Sequence, residues 1–346
     1  MGLYPRASLE DFWQEVTAMA VKTLWAACIL ACGAWSTAQA QTDAAQYPNR
    51  TITMVVPAAA GGATDVVARV MAEQLGKRLG QTVVVDNKTG ASGMLGTQAV
   101  ARAAPDGYTV LLAYSTPVFY THHIFPKMAY DIKKDFAFVS QVAATSLMVL
   151  VNEKVPAKNM KEFIAWAQAN KGKVNYGSYG QGSAGHLMSA YLNESRKLGM
   201  THVAYKSEAP FVQDLAGGVV PWGMGTLAAG QGMIKSGRMR PIAILGPKRL
   251  QELPNVPTMA EQGFADPEFN TVAWFTLLAP ANTPKPILDR LEKESVEVVN
   301  STAMKARLQV LGLEPVKGGS AQFHKDFNAA DPLIEKLVKI SGAKAE

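Results

Sequence analysis

Few side chains in this sequence could do chemistry, and their spacing excludes most of the familiar reactions. Gln181-Gly182-Ser183-Ala184-Gly185 and Gly90-Ala91-Ser92-Gly93-Met94 come near the Gly-x-Ser-x-Gly turn that exposes a nucleophilic serine, but each lacks one of the two glycines. Gly90, Gly93 and Gly96 are misspaced for a dinucleotide fingerprint, and Gly172-Lys173-Val174 lacks the hydroxyl residue of a phosphate loop. The five histidines, His122, His123, His186, His202 and His324, include no pair at the helical spacing of a metalloprotease and have no cysteine partner, so neither a metal site nor a cofactor is expected. His122, His123 and His324 read as surface residues. His186, at a helix start behind a glycine loop, reads equally as a ligand contact or as a packed, capping residue.

What remains is three glycine-rich turns, each between a strand and a helix: Ala58-Ala59-Ala60-Gly61-Gly62-Ala63-Thr64-Asp65, Gly90-Ala91-Ser92-Gly93-Met94-Leu95-Gly96, and Gly177-Ser178-Tyr179-Gly180-Gln181-Gly182-Ser183-Ala184-Gly185-His186. In α/β proteins such turns lie at the carboxyl ends of the strands, where ligands bind. They offer unpaired N–H groups and the positive end of a helix dipole, which suit a carboxylate or another anion. Ser115, Thr116 and Ser183 could add hydroxyl hydrogen bonds, and Ser92 lies inside the second turn. Asp65 either caps its helix or holds a water or backbone group in the first turn.

The elements that must position these turns alternate between short β-branched runs and amphipathic helical segments. Residues 51–56 read as a strand, followed by a helix to about Leu79 that Gly80 ends, with Val67, Val70, Met71 and Leu75 on one face. Strands are expected at 82–85 and 108–113 with a helix at 94–103 between them, and 117–135 reads as irregular. A comparable second series begins at Met148 and runs to Leu245. An apolar strand at 272–279 and an amphipathic helix from about Ile287 follow, and the last sixty residues are expected to pack back on the first domain. This alternation implies mainly parallel sheets flanked by helices. A chain of 346 residues suits two such domains, each burying its own core.

Both cysteines, Cys28 and Cys32, fall in an apolar run from Leu24 to Trp35 that follows Lys22 and precedes Ala38-Gln39-Ala40, the pattern of an export signal cleaved after Ala40. Acidic residues at Glu10, Asp11 and Glu15 place the functional start at Met19. Ile29-Leu30-Ala31-Cys32 partly resembles a lipidation motif, a second reading. The mature chain has no cysteine and needs no disulfide. The 34 Lys+Arg against 28 Asp+Glu of the full 346-residue sequence, a net charge of +6, are scattered, so no nucleic-acid partner is expected.

Tyr47-Pro48, Gly61-Gly62-Ala63-Thr64-Asp65, Val84-Val85-Asp86-Asn87, Ala104-Pro105-Asp106-Gly107-Tyr108-Thr109, Gly180-Gln181-Gly182-Ser183 and Leu253-Pro254-Asn255-Val256-Pro257-Thr258 stand in a recognisable order. In this the chain resembles the substrate-binding receptors of tripartite tricarboxylate transporters, the Bug family, over nearly all of its mature length. The resemblance implies an α/β, type II-like periplasmic-binding-protein fold. Residues 1–40 are then extension and signal, 41–147 with 272–346 one lobe, and 148–271 the other. It implies a monomeric receptor, not an enzyme, that closes on a small organic carboxylate and delivers it to inner-membrane permease subunits. The first lobe would grip one carboxylate through Ala59, Ala60, Gly61, Gly62, Ala63, Asp65, Ser92, Ser115 and Thr116. Gly180, Ser183, Ala184, His186, Tyr205, Lys206 and Thr226 would meet the far end.

Departures from the family pattern fall at that far end: Ala204 replaces a proline, Ser207 a glycine and Pro221 an aspartate. Ala58-Ala59-Ala60 also stands where the family carries an aromatic residue and a proline. The smaller side chains imply a larger pocket and an aromatic mono- or dicarboxylate, with Lys206 or His186 facing its distal acid. A sensor subunit presenting the ligand to a membrane kinase and a periplasmic hydrolase are the rival readings. Lys88, Lys133 and Lys134 are either docking residues or solvated ones.

Overall fold

The computed structural model describes residues 46–125 and 127–343, so the expected export signal with Cys28 and Cys32 lies outside the described residues. The fold below belongs to the compact unit that begins at Arg50.

β1 (Ile52–Val56) is apolar and almost wholly buried, and it passes through a turn into α1 (Ala63–Leu79). Val67, Ala68, Met71, Ala72, Leu75 and Leu79 bury one stripe of that helix, and Lys77 and Arg78 complement the dipole of its last turn. Gly80, in the left-handed conformation, closes it by donating its N–H to the Gly76 carbonyl. β2 (Val83–Asn87), α2 (Met94–Ala101) and β3 (Thr109–Tyr114) complete a parallel arrangement with β1 between β2 and β3. A turn of π-helix over Thr116–Tyr120 and the short α3 (Thr121–Ile124) lead to β4 (Phe136–Thr145).

The second sheet follows directly. β5 (Met148–Asn152), α4 (Met160–Ala169), β6 (Asn175–Ser178), α5 (Ala184–Ser195), β7 (Thr201–Ala204), α6 (Glu208–Gly217), β8 (Trp222–Gly225), α7 (Leu227–Lys235) and β9 (Met239–Ile244) give the order β7-β6-β8-β5-β9. The chain then returns through β10 (Ala273–Pro280), α8 (Lys285–Asn300), α9 (Thr302–Val310), β11 (Glu314–Gly319) and α10 (Ser320–Ser341). The first sheet has the order β11-β4-β10-β3-β1-β2.

Both sheets are mixed, a correction to the expected mainly parallel pairing. Among the described strands only β1 with β2 and β3, and β6 with β7 and β8, pair in parallel. Those pairs are joined by crossover helices, whereas β10 returns between β3 and β4 antiparallel to both, and β5 runs antiparallel to β8 and β9. The crossings between sheets touch each other. The Leu245 N–H donates to the Leu147 carbonyl at 2.8 Å. A Cβ built on Gly246, whose φ is +113°, would stand 3.0 Å from Ser146 Oγ and 3.5 Å from Val272 Cγ1.

The hydrophobic core also differs from two separate ones. A continuous cluster runs from Val55 and Leu111 of the first sheet to Val149 and Trp222 of the second, through Phe119, Leu187, Phe323 and Phe327. The terminal helix α10 packs on β4 and also on α5, so it ties the two sheets together instead of serving the first alone. No helix among the described residues is long and apolar enough to cross a membrane.

Candidate functional site

The loops after β1, β2 and β3 meet at the carboxyl ends of those parallel strands. A Cβ at Gly93 would lie 3.0 Å from Tyr114 Oη, 3.1 Å from Pro117 Cγ and 3.3 Å from the Pro57 carbonyl oxygen, so a side chain there would force the three loops apart. Ala59, Ala60, Gly61 and Gly62 are exposed in the first loop, and Ala63 is half-buried as the first residue of α1. Ser92 is exposed on the second loop, with a left-handed φ of 55°.

Asp65 organises the first loop from beneath. Its side chain is buried and accepts hydrogen bonds from the Gly61 N–H at 2.8 Å, Arg69 Nε at 2.9 Å and Asn87 Nδ2 at 3.0 Å. Asn87 Nδ2 also donates to the Ala58 carbonyl, so one aspartate and one asparagine hold both ends of the turn. Burial alone would raise the Asp65 pKa, but the bonds from Arg69, Gly61 and Asn87 outweigh it and hold the carboxyl below its ordinary range. Of the two sequence readings, Asp65 takes the one that holds a backbone group. The amides of Ala63 and Thr64, in the first turn of α1, have no acceptor among the described residues and carry the positive end of a 17-residue helix.

Ser115 and Thr116 are buried at the end of β3. The Ser115 hydroxyl accepts the Trp274 N–H at 2.6 Å and lies 3.2 Å from the Trp274 carbonyl oxygen. It therefore pins β3 to β10 and is already committed.

The far-end residues also gather at strand ends, after β6, β7 and β8. The backbone of Tyr205 bonds to the Ser178 carbonyl, and its own carbonyl oxygen lies 3.7 Å from a Cβ placed on Gly180. The β6–α5 loop reaches the first lobe: Gly182, at φ +71°, packs so closely on Ile124 of α3 that a Cβ would sit 2.3 Å from Ile124 Cδ1. Ser183 caps α5 by accepting the His186 N–H at 3.2 Å, and Ala184 opens the helix. The two groups of loops thus face one inter-lobe region.

Several far-end residues are spoken for. His186 Nδ1 accepts the Gly182 N–H at 3.1 Å, and its ring stacks on His202 with centroids 3.9 Å apart. Burial, reinforced by the neighbouring His202, pushes the His186 pKa down to about 3, so the ring is neutral and is no cation for a distal acid. His186 therefore fits the packed, capping reading. Tyr205 Oη donates to Asp214 at 2.9 Å. Lys206 is exposed, with no hydrogen bond or ion pair among the described residues. Thr226 caps α7 and gives both its N–H and its hydroxyl to Glu208.

Sequence reasoning missed Asn87, Tyr179 and Glu208. Each lies within or beside a motif already singled out, but only the fold turns their side chains onto the loops. Tyr179 Oη, for example, accepts the Gly185 N–H at 3.0 Å. His122 and His123 are half-buried, not surface residues: Nε2 of each lies 2.8 Å from the same oxygen of Asp331, whose other oxygen accepts from Lys133. These could group around a metal ion, which a spacing search could not reveal because Asp331 is two hundred residues away. As they stand they form a hydrogen-bonded tie between α3 and α10. His324 is exposed and stacks on Phe138. Lys88 and Lys134 pair with Asp86 and Asp131. A surface hollow between Lys248 and Pro315 contains none of the candidate residues.

Comparison with known proteins bears on the family and the fold. The family model described as tripartite tricarboxylate transporter family receptor matches residues 67–338. Protein BugT of Bordetella pertussis is 37% identical over 278 residues, 80% of this chain and 85% of BugT. Among solved structures, R. palustris Rpa4515 with adipate aligns at a TM-score of 0.80 and 31% identity, over 86% of this chain and 99% of that one. MatC from Rhodopseudomonas palustris with bound malate aligns at 0.76 and 29%, over 84% and 100%. Other neighbours are a periplasmic transporter and the periplasmic binding protein BugD, so the two-lobed fold is that of periplasmic binding proteins. With a family model spanning most of its length and a relative this similar, the chain belongs to the tripartite tricarboxylate transporter receptor family, the Bug proteins.

Proposed function

We propose that this receptor captures an aromatic carboxylate between lobes formed by 41–147 with 272–346 and by 148–271, and delivers it to a tripartite-type permease without chemical change. The observation that carries the reading is the first loop. Asp65 and Asn87 fix its backbone, the Ala63 and Thr64 amides stay free at the N-terminus of α1, and the exposed side chains beside them, Ala59 and Ala60, are only methyl groups. Such amides recognise a carboxylate without a lysine or arginine, and the missing bulk leaves room for a ring. Adipate and malate in the matched structures support the carboxylate class. Closure is a population shift driven by contacts made only in the shut form. Export through a signal that starts at Met19 and is cleaved after Ala40 delivers a monomer to the periplasm.

A thermal-shift screen of the purified protein against aromatic and aliphatic mono- and dicarboxylates tests this, since a ligand of the native state raises Tm. A shift confined to aromatic acids is expected. Shifts confined to small aliphatic acids would remove the aromatic assignment, and no shift at all would remove the receptor reading. Loss of uptake on deleting the gene would separate transport from sensing, and turnover of a bound ester would favour the hydrolase.

A further inference from the structure

The second lobe already holds an anion of its own where a distal carboxylate would dock. Thr226 caps α7, a nine-residue helix at the carboxyl end of β8, and its N–H is a donor that such a ligand would seek. Glu208 takes it. Oε1 accepts the Thr226 N–H at 2.6 Å and Oε2 accepts the Thr226 hydroxyl at 3.0 Å. Gly225 leaves space for this approach, since a Cβ there would stand 3.1 Å from Oε1. Two further amides of this lobe are spent as well, those of Gly182 on His186 and Gly185 on Tyr179. The strand-end edge of the second lobe therefore presents a half-buried carboxylate with spare acceptor lone pairs, beside the half-buried Tyr179.

Resting on the carboxylate-receptor reading above, we infer that Glu208 is a specificity-determining residue, which selects a monocarboxylate whose far end carries a hydroxyl or amine donor and excludes ligands with a second carboxylate there. A donor at the far end bonds the free lone pairs of Glu208, whereas a second carboxylate brings a like charge to a poorly solvated acceptor. Burial raises the Glu208 pKa, with the bonds from Thr226 opposing, so this site is already a costly place for one negative charge.

The test is calorimetric titration with a matched pair of probes, 4-hydroxybenzoate and benzene-1,4-dicarboxylate, on the wild-type protein and on Glu208→Gln. The wild type should bind the hydroxy acid at least tenfold more tightly. Glu208→Gln keeps an acceptor for the Thr226 N–H but loses the charge, and the preference should fall at least tenfold through a gain for the diacid. A wild type that binds the diacid as tightly as the hydroxy acid would overturn the role of Glu208 while leaving the receptor reading intact, and that result needs no folded variant. An unchanged preference in Glu208→Gln would overturn it too. Binding of neither probe, nor of any other acid, would overturn both readings together.

Discussion

Replacing Asp65 by alanine should loosen the first loop before it touches any ligand. The side chain is buried and accepts from Gly61, Arg69 and Asn87. The bonds from Gly61 and Asn87 are charge-assisted, but the exposed Gly61 amide can turn to water, so together they are worth about 2 kcal/mol. The Arg69 side chain is 55% exposed, which limits that pair to about 0.5 kcal/mol after screening. A negative charge in the first turn of α1 adds about 0.5 kcal/mol. The total of about 3 kcal/mol corresponds to a Tm fall of about 6 °C, readable by calorimetric melting at pH 7. Because the folded pKa of Asp65 is lowered, its contribution is complete above the ordinary carboxylate range and fades as pH falls below it, so wild type and variant should converge in acid. Asp65→Asn, retaining an acceptor but no charge, should fall between them. Carboxylate affinity should drop about tenfold or more in Asp65→Ala, since the loop must then be ordered on binding. Lost affinity with an unchanged Tm would refute this reasoning, because Asp65 would then act on the ligand and not through the loop. An unchanged Tm and affinity would refute it as well.

Other outcomes follow from the same geometry. Ala59→Phe puts a ring where only a methyl group stands and should abolish binding of an aromatic acid with little change in Tm; unchanged affinity by calorimetry would remove the enlarged-pocket argument. His186 and His202 have folded pKa values lowered by burial to about 3 and about 4, so stability present above pH 6.5 should be lost as pH falls toward those values. For the buried His186 the loss from pH 6.5 to pH 5 is about 2 kcal/mol, and His186→Gln should flatten the Tm–pH curve over that window. At Gly246, valine would need φ near +113° and would press on Ser146 where the chain crosses between sheets, at a cost of about 2 kcal/mol, so Gly246→Val should melt earlier than Gly246→Ala.

Elements with one strong signal were legible from the residues alone. The β-branched run of β1, the apolar stripe of α1 and its terminator Gly80 all stand where the pattern puts them, because local conformation and burial agree there. β4 was not assigned. It alternates too weakly, carrying Ser140, Gln141 and Thr145 in a strand covered on both faces, and its partner β10 lies more than a hundred residues on. β11 contains Pro315 and two glycines, acceptable on an edge strand but opposed to strand propensity. The three glycine loops were found because backbone exposure at a strand end leaves a mark in composition. What each side chain does there was not, since the commitment of Ser115 to Trp274, of His186 to Gly182 and of Glu208 to Thr226 depends on pairings that no local pattern encodes.

A crystal structure of the purified protein with a bound aromatic acid would test the central claim most directly. The ligand carboxylate should lie within hydrogen-bond distance of the Ala63 and Thr64 amides, beneath Ala59 and Ala60, with its ring between the lobes. A carboxylate held instead by Lys206 and the second lobe, with the first loop empty, would contradict the account.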